Sequence, residues 1–268
     1  MLMNNRHTII SILGISPRSG TNFLKELICL HPNCRVSNAR GEDYLLHYID
    51  DLLAYANNVS RHWKESWNNS KANLLNSISK GVQSFLTKDL DAHFTHVVNK
   101  TPEPKNIMEF DTLFPEGKII LLIRDGRDTL DSLVHTFHHI SFQKHLKSWK
   151  RNVREALITM SSEKFKQQAL LVRYESLVSE PKKSMHSILN FVGLDSDQYP
   201  FGEIETLPII GSSQIKDASG KVTWKKSAGK NMNKDTLQFV GRHTSWSWSK
   251  KCTFLFLVKK LNQALGYQ

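Results

Sequence analysis

Apolar positions along this chain follow two periods. Ile9, Ile10, Ile12 and Leu13 form a short apolar run, and Ile119-Ile120-Leu121-Leu122-Ile123 a continuous one after Lys118. Both have the length and composition of strands covered on both faces. Elsewhere the spacing is helical. Leu130, Leu133, Val134 and Phe137 fall at i, i+3, i+4 and i+7. Phe142, Leu146, Trp149, Val153 and Leu157 make a second stripe, and Met185, Ile188, Leu189 and Val192 a third, after Pro181. The pattern predicts strands at 8–14, 95–99, 118–123 and 168–173. Helices are predicted at 20–30, near 43–56 and 73–86, and at 128–138, 142–160, 182–192 and 250–264, with an irregular basic segment near 211–231. Strands alternating with helices imply an α/β fold, a parallel sheet with helices on both faces.

The turn after the first strand carries the first chemistry. It reads Gly14-Ile15-Ser16-Pro17-Arg18-Ser19-Gly20-Thr21-Asn22 and opens a helix. The first N–H groups of a helix have no partner inside it, and the helix dipole favours negative charge there, so phosphate or sulfate is the ligand to expect. A Walker loop would place a Lys directly after its second glycine. Here Thr21 follows Gly20, and the cation is Arg18, inside the loop. An Arg fork suits an anion held bidentately without a metal. The 118–123 strand ends in Arg124-Asp125-Gly126-Arg127-Asp128, with Ser132 in the following helix. Arg124 therefore sits at the carboxyl end of a central strand, where open α/β sheets bind ligands.

On these segments the chain resembles the sulfotransferases that use 3′-phosphoadenosine 5′-phosphosulfate (PAPS). Pro17 to Thr21 is similar to their 5′-phosphosulfate loop, and Arg124 with Ser132 to their 3′-phosphate motif. Val172-Arg173-Tyr174-Glu175-Ser176-Leu177, Asn99-Lys100-Thr101-Pro102, Gly211-Ser212-Ser213, Trp224-Lys225 and a late Leu265-Gly266-Tyr267 also match family segments. The likeness spans about residues 8–267. It implies a three-layer P-loop NTPase-like fold in one domain, 1–268, with PAPS as donor, PAP as product and no metal. By the same resemblance Ser19, Thr21 and Asn22 contact the 5′ side, while Arg124 and Ser132 bind the 3′-phosphate. Arg18 and Lys100 lie near the transferring group. Tyr174 lies beside the nucleotide or in the core, and Trp224 and Lys225 close over it. Ser212 or Ser213 matches a serine near the reacting centre. Animal-type members carry a His base two residues after the lysine matched by Lys100; Pro102 stands there, so the expected base is a carboxylate. Glu42 is the choice with Asp43 in reserve, the alternative being first-turn acids on the helix of Leu45, Tyr48, Ile49 and Leu52.

Composition adjusts this picture only slightly. The formal charge of +11 fits anionic ligands. Part of it, Lys144, Lys147, Lys150, Arg151 and Arg154, lies on the solvated face of one helix. No aromatic-basic pattern suggests nucleic acid, and no apolar run approaches the ~20 residues of a membrane span. His135, His138 and His139 cluster with no carboxylate or cysteine to complete a metal site. Cys29, Cys34 and Cys252 lack metal-ligand spacing, which favours a reducing cytoplasm, as does the lack of a signal-peptide pattern. A small-molecule hydroxyl or amine is the expected acceptor, with a peptidyl tyrosine or a saccharide as the alternatives. The rival readings are a P-loop kinase or ATPase and a non-catalytic basic nucleic-acid binder; preference for ATP with Mg²⁺ over PAP would favour the first.

Overall fold

Isoleucines alternate across the first strand, β1 (Thr8–Gly14), and sort the core into two halves. Successive strand residues face opposite sides, so Ile9 and Leu13 pack into one apolar cluster while Ile10 and Ile12 pack into the other. The computed structural model describes residues 7–37, 41–67, 69–88, 90–91, 93–207 and 246–268 with their side chains. It also describes the backbone of 208–209, 212–216, 222–226 and 230–231. Around β1 lie β2 (Cys34–Val36), β3 (His96–Thr101), β4 (Lys118–Ile123) and β5 (Ala169–Arg173) in the order β2-β3-β1-β4-β5. Every pairing in this sheet is parallel. The chain leaves β1 towards the β2 edge and later crosses to β4, so the carboxyl end of β1 is the switch point where a ligand crevice opens.

One face is covered by α1 (Thr21–Ile28), α7 (Tyr174–Ser179) and α8 (Pro181–Val192). Phe23, Leu24, Leu27, Met185 and Leu189 meet Ile10, Ile12, Val98, Ile120 and Leu122 there. The other face carries α2 (Ile49–Ser60), α3 (Lys71–Thr87), α4 (Phe110–Leu113), α5 (Gly126–Thr136), α6 (Phe142–Ser161) and α9 (Trp248–Ala264). On that side Leu130, Leu146, Trp149, Val153 and Phe254 pack against Leu13, Ile119, Leu121 and Ile123. The result is the three-layer α/β sandwich expected from the pattern.

Several stretches differ from the expectation. The edge strand β2, the four-residue α4 and the six-residue α7 are additional. The segment near 43–56 begins as a short 3₁₀ turn at Leu46–Tyr48 before α2. The 211–231 stretch is not irregular throughout: β7 (Ser212–Lys216) and β8 (Val222–Lys226) pair antiparallel, with Ser213 opposite Lys225 and Gln214 opposite Trp224. Further, β6 (Pro208–Ile209) pairs with β9 (Lys230–Asn231).

Candidate active site

The loop from β1 to α1 is built to stay open at its anion end. Gly20 caps α1 at φ 99°, and no side chain caps the helix. A Cβ on Gly20 would lie 2.7 Å from Tyr174 Cε2, so glycine is needed both for the left-handed backbone and for the ring packed against it. The Ser19 hydroxyl is used within the loop, donating to Ser16 O at 2.8 Å and accepting the Ser16 N–H at 3.2 Å. From the other side, the buried Asn152 amide donates to Ile15 O at 3.0 Å. Pro17, Thr21 and Asn22 line the same turn, Thr21 buried and the other two half-buried.

The two arginine segments meet across this loop. Arg18, itself at φ 75°, donates from Nε to Ser132 Oγ at 3.2 Å, and Arg124 Nη1 donates to Arg18 O at 3.2 Å. The Arg124 guanidinium lies 5.0 Å from the centre of the Tyr174 ring. Residues 106 positions apart are thus joined directly, because β1 and β4 are neighbours and both end at this edge. Arg124 and Ser132 are almost fully buried. Two cations, a hydroxyl, an aromatic face and an uncapped helix N-terminus share one corner, a set matched to a multiply charged anion bearing a flat ring.

A second group sits at the end of β3. Lys100 is buried, and its Nζ lies 3.4 Å from Glu42 Oε1. The other Glu42 oxygen accepts the Tyr44 hydroxyl at 2.7 Å. Burial pulls the Lys100 ammonium below its ordinary value, with Glu42 opposing that shift. Asp43 behaves differently: its Oδ1 accepts the Leu45 N–H at 2.9 Å and the Thr101 hydroxyl at 3.4 Å, and its own N–H donates to Lys100 O at 3.2 Å. Burial raises the Asp43 carboxyl above the usual range. Asp43 ties the turn to β3, whereas Glu42 remains partly exposed beside the lysine. Behind them lies a cavity of about 10 Å³, room for one water, bounded by Ser11, Asn99 and Phe114.

Not every predicted residue joins these groups. The side chains of Ser212, Ser213, Trp224 and Lys225 lie outside the described residues. His135 leans back on its own helix, Nδ1 2.8 Å from Asp131 O. Among the described residues no three His, Cys, Asp or Glu side chains are placed to hold a metal ion, and no helix is long and apolar enough to cross a membrane. Asn152 and Asn262 were not anticipated. Each is a polar residue on a buried helical stripe, Asn152 beside Trp149, Val153 and Ala156, and Asn262 one turn beyond Val258. That break in pattern is the mark that would have singled them out.

Residues 10–198 match the model of the sulfotransferase family. The chain belongs to that family. Among curated proteins it is 28% identical over 201 residues to protein-tyrosine sulfotransferase 1 of Danio rerio, covering 71% of this chain and 54% of the relative. It is 27% identical over 193 residues to protein-tyrosine sulfotransferase 2 of Gallus gallus, covering 68% and 50%. The chain thus spans about half the length of the curated relatives it matches. Among solved structures, the sulfotransferase domain of the Synechococcus PCC 7002 olefin synthase aligns with a TM-score of 0.61 at 16% identity, covering 98% of this chain and 96% of that one. A mouse sulfotransferase complexed with PAP aligns with a TM-score of 0.52 at 14% identity, covering 98% and 87%. The chain shares their fold: the family match runs from within β1 through α8, including both arginine segments, and ends before β6.

Proposed function

We propose that the protein transfers a sulfuryl group from PAPS to an acceptor hydroxyl or amine, releasing PAP. The observation that carries this reading is the convergence of Arg18, Arg124, Ser132 and Tyr174 on the uncapped N-terminus of α1. Those residues fit a nucleotide with phosphates at two positions. Arg124 and Ser132 take the 3′-phosphate, Arg18 and the α1 N–H groups the 5′ side, and Tyr174 the nucleotide's flank. When bound, the donor supplies the sulfuryl group and a bisphosphate leaving group.

Glu42 is the general base and removes the acceptor's proton; Lys100 beside it and Arg18 in the loop stabilise the negative charge that grows on the leaving side. Asp43 shapes the turn and takes no proton. A phenol already donates to Glu42, that of Tyr44, so an aromatic hydroxyl suits the position as an acceptor. A small-molecule phenol and a tyrosyl side chain, the acceptor in the relatives' names, share this chemistry. Turnover of a small phenol against a tyrosine peptide separates them.

A phosphoryl-transferring reading is disfavoured by Asp125, the acid that follows β4. Its carboxylate is held by Arg127, from Nε at 3.0 and 3.1 Å and from the backbone N–H at 2.8 Å, and so is engaged where a kinase needs an acid for Mg²⁺. The test is calorimetric titration with PAP and, separately, with ATP and Mg²⁺. PAP is expected to bind, and Arg124→Ala to weaken it at least tenfold with the fold intact. An unchanged dissociation constant in the variant, or preference for ATP, refutes the reading.

A further inference from the structure

The turn that carries Arg124 into α5 is held from behind by Glu175 and by two residues beyond the family match, Asn262 and Tyr267. The Asp125 N–H donates to Glu175 Oε1 at 3.0 Å, and the other oxygen of that carboxylate accepts the Tyr267 hydroxyl at 2.7 Å. The Gly126 N–H donates to Asn262 Oδ1 at 2.9 Å, and Asn262 is buried. Gly126 is locked in turn, since a Cβ there would lie 2.8 Å from Trp149 Cε2. Tyr267 is itself fixed: Arg173 lies 5.3 Å from its ring centre and donates to Leu265 O at 2.9 Å. Gly266, at φ 84°, leaves the Arg173 guanidinium the space that any Cβ would occupy.

We propose that Asn262 and Tyr267 are positioning residues, holding the Asp125–Gly126 turn so that Arg124 is aimed at the anion. The two helix N-termini in the site differ for a physical reason. At α1 no side chain competes for the first N–H groups, and they can serve a ligand. At α5 the first amides are already taken by Asn262, Glu175 and Asp125, so recognition there falls to the Arg124 and Ser132 side chains. A fork binds only as well as it is oriented, and the backbone of this turn sets that orientation. Neither residue touches the ligand in this scheme; each acts through the turn. The inference rests on Arg124 being a phosphate ligand.

The experiment compares PAP affinity by calorimetry, PAPS KM and kcat, and hydrogen exchange at the Asp125 and Gly126 amides, in wild type, Tyr267→Phe, Asn262→Leu and Arg124→Ala. Tyr267→Phe keeps the ring and removes only the hydroxyl. It should raise both the PAP dissociation constant and the PAPS KM about fivefold or more, leave kcat within about twofold, and speed exchange at the two amides without speeding it in α8. Asn262→Leu should act in the same direction; if it does not fold, Tyr267→Phe carries the test. Wild-type PAP affinity in Tyr267→Phe, with affinity lost in Arg124→Ala, overturns the positioning role and leaves the functional reading standing. A fall in kcat with unchanged KM, or faster exchange throughout, also overturns it. Wild-type affinity in Arg124→Ala overturns the functional reading and this inference with it.

Discussion

Replacing Gly20 by alanine disturbs the anion loop in two separable ways. The backbone at φ 99° has no comfortable place for an L side chain, a strain of about 1–2 kcal/mol. The new methyl also stands 2.7 Å from Tyr174 Cε2, closer than side-chain carbons approach, and relieving it requires the ring or the loop to shift at about 1–3 kcal/mol. Together these give about 2–5 kcal/mol of lost stability. A displaced Tyr174 no longer backs the Arg124 guanidinium 5.0 Å away, so PAP affinity should fall by about tenfold, near 1.4 kcal/mol. Urea denaturation and calorimetry on Gly20→Ala, Tyr174→Ala and the double variant form a cycle that isolates the contact. Truncating the ring removes the overlap and leaves the strain, so Gly20→Ala should cost about 1–3 kcal/mol less in the Tyr174→Ala background. Additive losses, or a single-variant loss below about 1 kcal/mol, would show that Gly20 is not needed at this corner.

Two further outcomes follow from the Glu42–Lys100 pair. Glu42→Gln keeps the shape and the Tyr44 contact but removes the base; kcat should drop by about 10²–10⁴, with PAP affinity nearly unchanged, and wild-type turnover would remove Glu42 from the chemistry. Because burial lowers Lys100, its charge should be lost below the ordinary 10.5, giving kcat/KM an alkaline limb beneath that pH. Arginine at position 100 should move the limb upward, and a pH profile identical in Lys100→Arg refutes the assignment. Through this window the unfolded chain binds more protons at residue 100 than the folded one, so the lysine's contribution to stability rises with pH.

The sheet and its helices were legible because burial on both faces writes long apolar runs, as in β4, and unbroken stripes, as in α6. β2 was not, since three residues ending in a half-buried valine at a sheet edge leave no period to count. The β7–β8 pair escaped for a related reason: serines and lysines face one another across it, and no apolar alternation marks its strands. At the site, the two arginine segments could be named from loop composition, but their meeting depends on β1 and β4 lying side by side, which is a property of topology. The distinction between Glu42 and Asp43 was out of reach. It arises because Asp43 accepts the Leu45 N–H and Thr101 while Glu42 turns to a lysine 58 residues away. Nor was it legible that the Ser19 hydroxyl braces its own loop by donating to Ser16 O.

The bond from Gly126 to Asn262 joins residues 136 positions apart, which bears on how the molecule matures during synthesis. A ribosome adding about 5–20 residues per second needs roughly 7–27 s to travel that interval. Throughout that interval a nascent chain already displays β4 and the arginine at its tip, yet lacks the asparagine and tyrosine that brace them. Full donor affinity should therefore lag behind formation of the sheet, arriving only once α9 has emerged and folded back.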